Sequence, residues 1–129
     1  MRRFSTVVAR SLDGTRYVRI RAGDEHRFIW IWVVVDRGRV FVRSWNDKPK
    51  GWYRALLAEK RGAIVVNERE IPVTASRVRA AALNDAVCEA YAAKYTTTAN
   101  RKYVKGFASQ KRKATTLELT PRARRASPR

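Results

Sequence analysis

Arg43, Ser44, Lys48 and Lys50 fall among the turn formers Asn46, Asp47, Pro49 and Gly51, directly ahead of the run Trp52-Tyr53-Arg54-Ala55-Leu56-Leu57-Ala58. That run has helical spacing, with Trp52 and Leu56 on one face and Arg54 pointing outward. A helix start offers N–H groups and the positive end of a dipole. Together with a guanidinium and two ammonium groups they would converge on one anion, so the chemistry is phosphate or carboxylate binding. The alternative uses the same residues: Trp52 and Leu56 as core, the lysines as a solvated turn, and no ligand.

The segment needs a frame to hold it. Residues 39–44 alternate Val40 and Val42 with Arg39, Phe41 and Arg43, which predicts a strand ending near Ser44. Residues 17–22 alternate in the same way. Residues 28–35 form an unbroken apolar run rich in β-branched and aromatic residues, and they predict a central strand covered on both sides. Asp36-Arg37-Gly38 turns that run into the strand at 39–44. Hairpin strands follow at 63–66 and 69–74 around Asn67-Glu68, with Pro72 placing the later one at an edge or a bulge. Residues 80–95 are Ala-rich, with Leu83, Val87, Ala90 and Tyr91 at helical spacing, and predict a helix packed across the sheet. A short helix is expected over 4–12 and another within 96–113, whose cations form a dense face; the last strand is expected at 115–120. The sum is an α+β domain: a six-stranded, mostly antiparallel barrel or strongly twisted sheet with two or three peripheral helices, spanning 1–120, and a basic disordered tail at 121–129.

Composition removes several classes of chemistry. His26 is the only histidine and Cys88 the only cysteine, and the acids show no metal-ligand spacing, so no metal site is expected. One cysteine makes no internal disulfide, and Cys88 reads as a core thiol in a reducing, cytoplasmic setting. Ser44, Ser76 and Ser109 could share only one histidine, with no nucleophile elbow, which disfavours a hydrolase triad. No dinucleotide fingerprint or phosphate loop is present. The apolar patch near the start is far too short for a signal peptide, and no run approaches the length of a membrane span. A cofactor carrying its own redox chemistry would ask for little more than a phosphate clamp and an apolar ring slot. Trp30, Trp32, Trp45 and Tyr53 are candidate walls of such a slot, and core or interface packing is the competing reading for each.

The net charge of +18 is unevenly spread. From residue 90 onward eleven cations face Glu118 alone. Such a surface attracts polyanions. Arg101, Lys102, Lys105, Lys111, Arg112 and Lys113 are candidate nucleic-acid contacts, with Tyr103 and Phe107 available for stacking.

The order IWVVVDRGRVFVRSW, GWYRALLAEKRGAIVV, IPVTA, AVCEAYAAKY and ATTLELTP, covering residues 17–121, resembles the bacterial family called domain of unknown function 2255. It is also similar to the deazaflavin-dependent nitroreductase relatives, through Trp52-Tyr53-Arg54-Ala55-Leu56. The resemblance implies a flavin-binding split β-barrel related to pyridoxamine-phosphate oxidases, commonly dimeric, with FMN or a deazaflavin coenzyme beside the strand, turn and helix. It would place Arg43, Ser44, Lys48, Lys50, Trp52 and Tyr53 on the phosphate side, and Trp30 and Trp32 on the sheet side. The strand opening Arg27-Phe28-Ile29-Trp30 departs from a Thr-Pro-Ile-Trp pattern. The implied activity is hydride transfer to a small acceptor. Two alternatives stand beside it: a nucleic-acid or polyanion module, and a cofactor-free barrel that recognises a protein partner.

Overall fold

A computed structural model describes residues 3–46 and 48–122. Of the tail expected at 121–129, residues 123–129 lie outside the described residues; Pro121 is the last residue of a strand, and the Arg122 N–H donates to Pro72 O at 2.9 Å.

Helix α1 spans Thr6–Gly14 and begins where the Ser5 hydroxyl accepts the Val8 N–H at 3.2 Å. Strands β1 (Tyr17–Ala22), β2 (Ile29–Trp32), β3 (Val34–Asp36) and β4 (Arg39–Val42) follow. Next come helix α2 (Trp52–Glu59), strands β5 (Arg61–Val66) and β6 (Arg69–Arg77), helices α3 (Ala81–Lys94), α4 (Thr98–Phe107) and α5 (Gln110–Lys113), and strand β7 (Leu117–Pro121). Among the described residues, seven strands and five helices thus replace the six strands and two or three helices expected. The extra strand comes from the 28–35 run, and 96–113 folds as two helices where one was expected.

The sheet order is β2-β1-β5-β6-β7-β4-β3, with every neighbouring pair antiparallel. Strands β2 and β3 are consecutive in the chain yet occupy opposite ends of that order, with only Val33 between them. The two ends of the sheet are therefore tied by one residue, which curls the sheet into a nearly closed antiparallel barrel. The expected central strand is in fact two short end strands, and Trp30 on β2 is 66% exposed. No glycine or proline marks that break. Its cause is tertiary: the Val33 N–H donates to the Tyr95 hydroxyl at 3.1 Å, and Val33 O accepts from Lys94 Nζ at 2.7 Å. Side chains at the end of α3 thus replace ladder bonds that a bent strand cannot make.

Pro72 sits in an interior strand, not at an edge. Its carbonyl faces the β7 side, where Arg122 N–H meets it beyond the end of β7, so its missing N–H falls where no strand partner is needed. The two hairpin turns carry positive φ at Arg37 (53°) and Gly38 (79°), and at Asn67 (51°) and Glu68 (65°), the primed-turn geometry that matches strand twist.

Two buried clusters follow from the strand pleat. Val40 and Val42 point into the barrel with Ile20, Leu56, Ile64 and Leu117. Phe41, one residue out of phase, points outward with Val34 onto Val87, Tyr91, Tyr95 and Phe107 of the helical layer. Leu83, Val87, Ala90 and Tyr91 pack in that layer, as their spacing predicts. Helix α2 covers the barrel through Leu56, and a Cβ at Gly62 would lie 2.0 Å from Arg21 O, so only glycine permits β5 to approach β1 there.

Candidate functional site

The 43–53 segment leaves β4 and splits between two environments. Arg43 continues the outward phase of Phe41 and enters the helical layer, where it is 2% exposed. Its Nε donates to Thr116 Oγ1 at 2.6 Å, Nη1 to Phe107 O at 2.9 Å and Cys88 Sγ at 3.1 Å, and Nη2 to Asn84 O at 2.9 Å. All three nitrogens meet neutral protein acceptors, and among the described residues no carboxylate pairs with it. Ser44 is also buried: its N–H donates to Thr115 Oγ1 at 2.9 Å and its hydroxyl to Asn46 O. These two residues anchor the turn to α3, α4 and the approach to β7.

Beyond them lies a cleft of about 560 Å³, bounded by the β1–β2 ribbon, the turn after β4, the start of α2 and one face of α4. All four tryptophans of the chain line it: Trp30, Trp32, Trp45 and Trp52. Each is set in place differently. Trp32 stacks on Tyr95 with centroids 3.9 Å apart and planes 3° apart, and its edge meets Tyr103 and Phe107. Burial pushes the Tyr95 hydroxyl up to about 12, so at neutral pH it stays a proton donor, bonded to Arg16 O at 2.6 Å. Trp45 lies edge-on to Tyr103 and Phe107, under the Arg112 guanidinium at 3.6 Å, and Arg112 Nε donates to Trp45 O at 3.0 Å. A Cβ at Gly106 would come within 2.4 Å of that indole, so α4 has a glycine where Trp45 rests. Trp52 opens α2, half-buried against the barrel, and Trp30 stands exposed at the mouth.

Arg16 and Lys48 bring positive charge to the cleft, and Arg16 Nη2 donates to Asn100 Oδ1 at 3.1 Å. No Asp or Glu occurs among the described lining residues. The α2 cap residue Gly51 provides no side-chain acceptor for the first-turn N–H groups, and Gly51 and Trp52 both face the cleft. That helix start is a fixed positive feature of the wall.

The structure thus brings Ser44, Lys48, Trp52, Trp30 and Trp32 together, with Arg43 reaching the same wall while its donors are occupied. Lys50 is exposed in the turn and does not line the cleft. Tyr53 turns the other way into the barrel core, 3% exposed, its hydroxyl donating to Ala114 O at 3.3 Å. Arg16 and Asn100 went unread in the sequence. Arg16 carries only the weak signal of a cation at a strand start, and a buried Asn in a helix carries none. Of the basic group, Arg101, Lys102, Lys105 and Lys111 are exposed, Lys113 pairs with Asp85 at 3.4 Å, and Arg112 is committed to Trp45. Tyr103 and Phe107 face the cleft from α4, and Lys102 lies 5.1 Å from the Tyr103 ring.

Among the described residues, no group of three His, Cys, Asp or Glu side chains could hold a metal, and no helix is long and apolar enough to cross a membrane. His26 is exposed in the β1–β2 connection.

Comparison with solved structures finds the same fold at low sequence identity. The chain is similar to the conserved hypothetical protein Rv2991 from Mycobacterium tuberculosis, with 15% identity, a TM-score of 0.59, and coverage of 96% of this chain and 83% of that one. It is similar to HutZ, the heme storage protein from Vibrio cholerae, with 11% identity, a TM-score of 0.58, and coverage of 96% and 92%. It is also similar to an FAD-binding protein from Mesorhizobium loti, with 11% identity, a TM-score of 0.52, and coverage of 93% and 90%. At these identities the likeness is one of fold alone. No curated protein matches the sequence. A family model matches residues 10–119, and the chain belongs to that family, described as uncharacterized protein conserved in bacteria, DUF2255.

Proposed function

We propose that the cleft binds a flavin-type cofactor, a planar aromatic ring system carrying phosphate. The observation that carries this reading is the convergence of all four tryptophans on one cleft of ligand size, with cations and no carboxylate among its described lining residues. The donor set fits such a group. Trp32, fixed by Tyr95, and Trp52 offer apolar ring surfaces, while Lys48, Arg16 and the start of α2 favour the anionic end. Arg43, with its nitrogens engaged, holds the wall rather than the phosphate.

A flavin or deazaflavin, when bound, supplies two-electron hydride chemistry. The chain's own part is to orient the ring, shield one face from water and neutralise the phosphate. A small acceptor would enter through the open mouth by Trp30. Among the described lining residues no histidine, cysteine or methionine is present, which leaves only the phenols of Tyr17 and Tyr103 among the usual axial ligands of haem, and the cationic, indole-lined wall favours a flavin.

The test is titration of the purified protein with FMN, FAD and a deazaflavin, read by tryptophan emission and melting temperature. Four indoles in the cleft predict strong quenching by a bound flavin. At a ligand concentration about a hundredfold above Kd, stabilisation of roughly 2.7 kcal/mol is expected. Emission and melting temperature unchanged by all three ligands would overturn the reading.

A further inference from the structure

We infer that the mouth of the cleft is a stacking platform for single-stranded nucleic acid. Four aromatic side chains stand out as exposed: Tyr17 at 42%, Trp30 at 66%, Trp45 at 36% and Tyr103 at 40%. All four line this one cleft. Exposed aromatics scattered singly over a surface need no explanation; four gathered at one opening do.

Each of these rings has its own cation. Arg16 lies 5.5 Å from the Tyr17 centroid, Arg19 lies 5.4 Å from that of Trp30, Arg112 lies 3.6 Å from that of Trp45, and Lys102 lies 5.1 Å from that of Tyr103. The pairs come from both sides of the opening, Tyr17 and Trp30 from the β1–β2 ribbon and Tyr103 from α4, with Trp45 on the turn packed against that helix. Exposed rings with cations close by offer a nucleotide chain both kinds of contact it makes, a π-face for a base and a positive charge for a linkage.

Charge complementarity points the same way. Residues 98–113, which make up α4 and α5, contain no acid, and Arg101, Lys105 and Lys111 are exposed along them. The described lining residues add no Asp or Glu, and the whole chain carries +18. The occupant is a single strand because only unstacked bases present their faces to rings set in a cleft; in a duplex those faces are covered. The inference does not depend on flavin binding, since it rests on the mouth and not on the floor formed by Trp32 and Trp52.

The experiment uses the full chain without added flavin and a fluorescein-labelled oligothymidylate of about twelve nucleotides, alone and as its duplex, followed by anisotropy at about 50 and 200 mM salt. Trp30→Ala and Tyr103→Ala should each weaken single-strand binding by about tenfold, with Trp30→Phe restoring most of it. Lys111→Gln, which removes a charge but no ring, should cost about twofold. Trp30 is mostly solvent-exposed, and circular dichroism is the check that the variants fold. Absence of binding at low salt, equal binding of the duplex, or ring variants that bind like the parent would each overturn the inference.

Discussion

Two sets of cations divide this molecule. Arg43 and Lys94 are turned inward: Arg43 ties β4 to Thr116, Phe107 and Asn84, and Lys94 Nζ holds Leu12 O at 2.9 Å and Val33 O at 2.7 Å where the barrel turns its corner. Arg16, Lys48, Lys102 and Arg112 border the cleft or its rings. Arg43 and Lys48 are five positions apart in one segment, yet one acts as part of the core and the other faces solvent. The charge of +18 is therefore not a single property. Strand phase and the position of the helical layer decide whether a given cation fixes the fold or meets a ligand.

The division predicts opposite responses to substitution. Arg43→Ala leaves Phe107 O and Asn84 O without their donor inside a packed layer and should destabilise the protein by about 3–4 kcal/mol, a melting-temperature drop on the order of 10 °C or more. A loss of flavin affinity with unchanged stability would instead place Arg43 among the ligand-facing cations.

Lys94 tests the same set through pH. Burial pushes its ammonium down to about 8, from an unfolded value near 10.5. The folded protein then gives up the proton before the unfolded chain does, so the unfolded state binds more protons between about pH 8 and 10.5. Stability from this group rises with pH through that window and is lost as pH falls through 8. Wild type should gain on Lys94→Met by about 1–2 kcal/mol between pH 7.5 and 10, the figure being reduced because the side chain is only half-buried. Parallel pH curves for the two proteins would remove Lys94 from the buried set.

The smallest effect belongs to the rim. Lys48→Gln should change stability by less than about 0.5 kcal/mol while weakening FMN binding roughly fivefold, as expected for one exposed charge near a phosphate. Denaturant midpoint and fluorescence titration on the same sample separate these two outcomes.

Much of the fold was legible because it rests on local periodicity. The alternation at 17–22 and 39–44, the spacing of Leu83, Val87, Ala90 and Tyr91, and the Asn67-Glu68 turn all correspond to observed elements. The split of 28–35 was not legible, because the pattern of an apolar run reports burial and contains no record of which neighbours it pairs with. The site was legible in the same measure. The strand, turn and helix expected at 39–59 correspond to β4, the turn after it and α2; the structure brings Trp30, Trp32 and Trp52 to one cleft, and it spends the donors of Arg43 and Tyr53 on protein acceptors.

By itself the sequence determined where most strand and helix segments lie, the excess of positive charge and the supply of aromatic side chains, since these depend on residue type and spacing along one element. Only the tertiary structure decided which cations are buried, that Arg16 and Asn100 join the cleft, and that four tryptophans from three separate stretches share it. Those facts depend on the bend at Val33 and on where α3 and α4 lie against β3 and β4, and contacts between distant segments leave no period in a single chain.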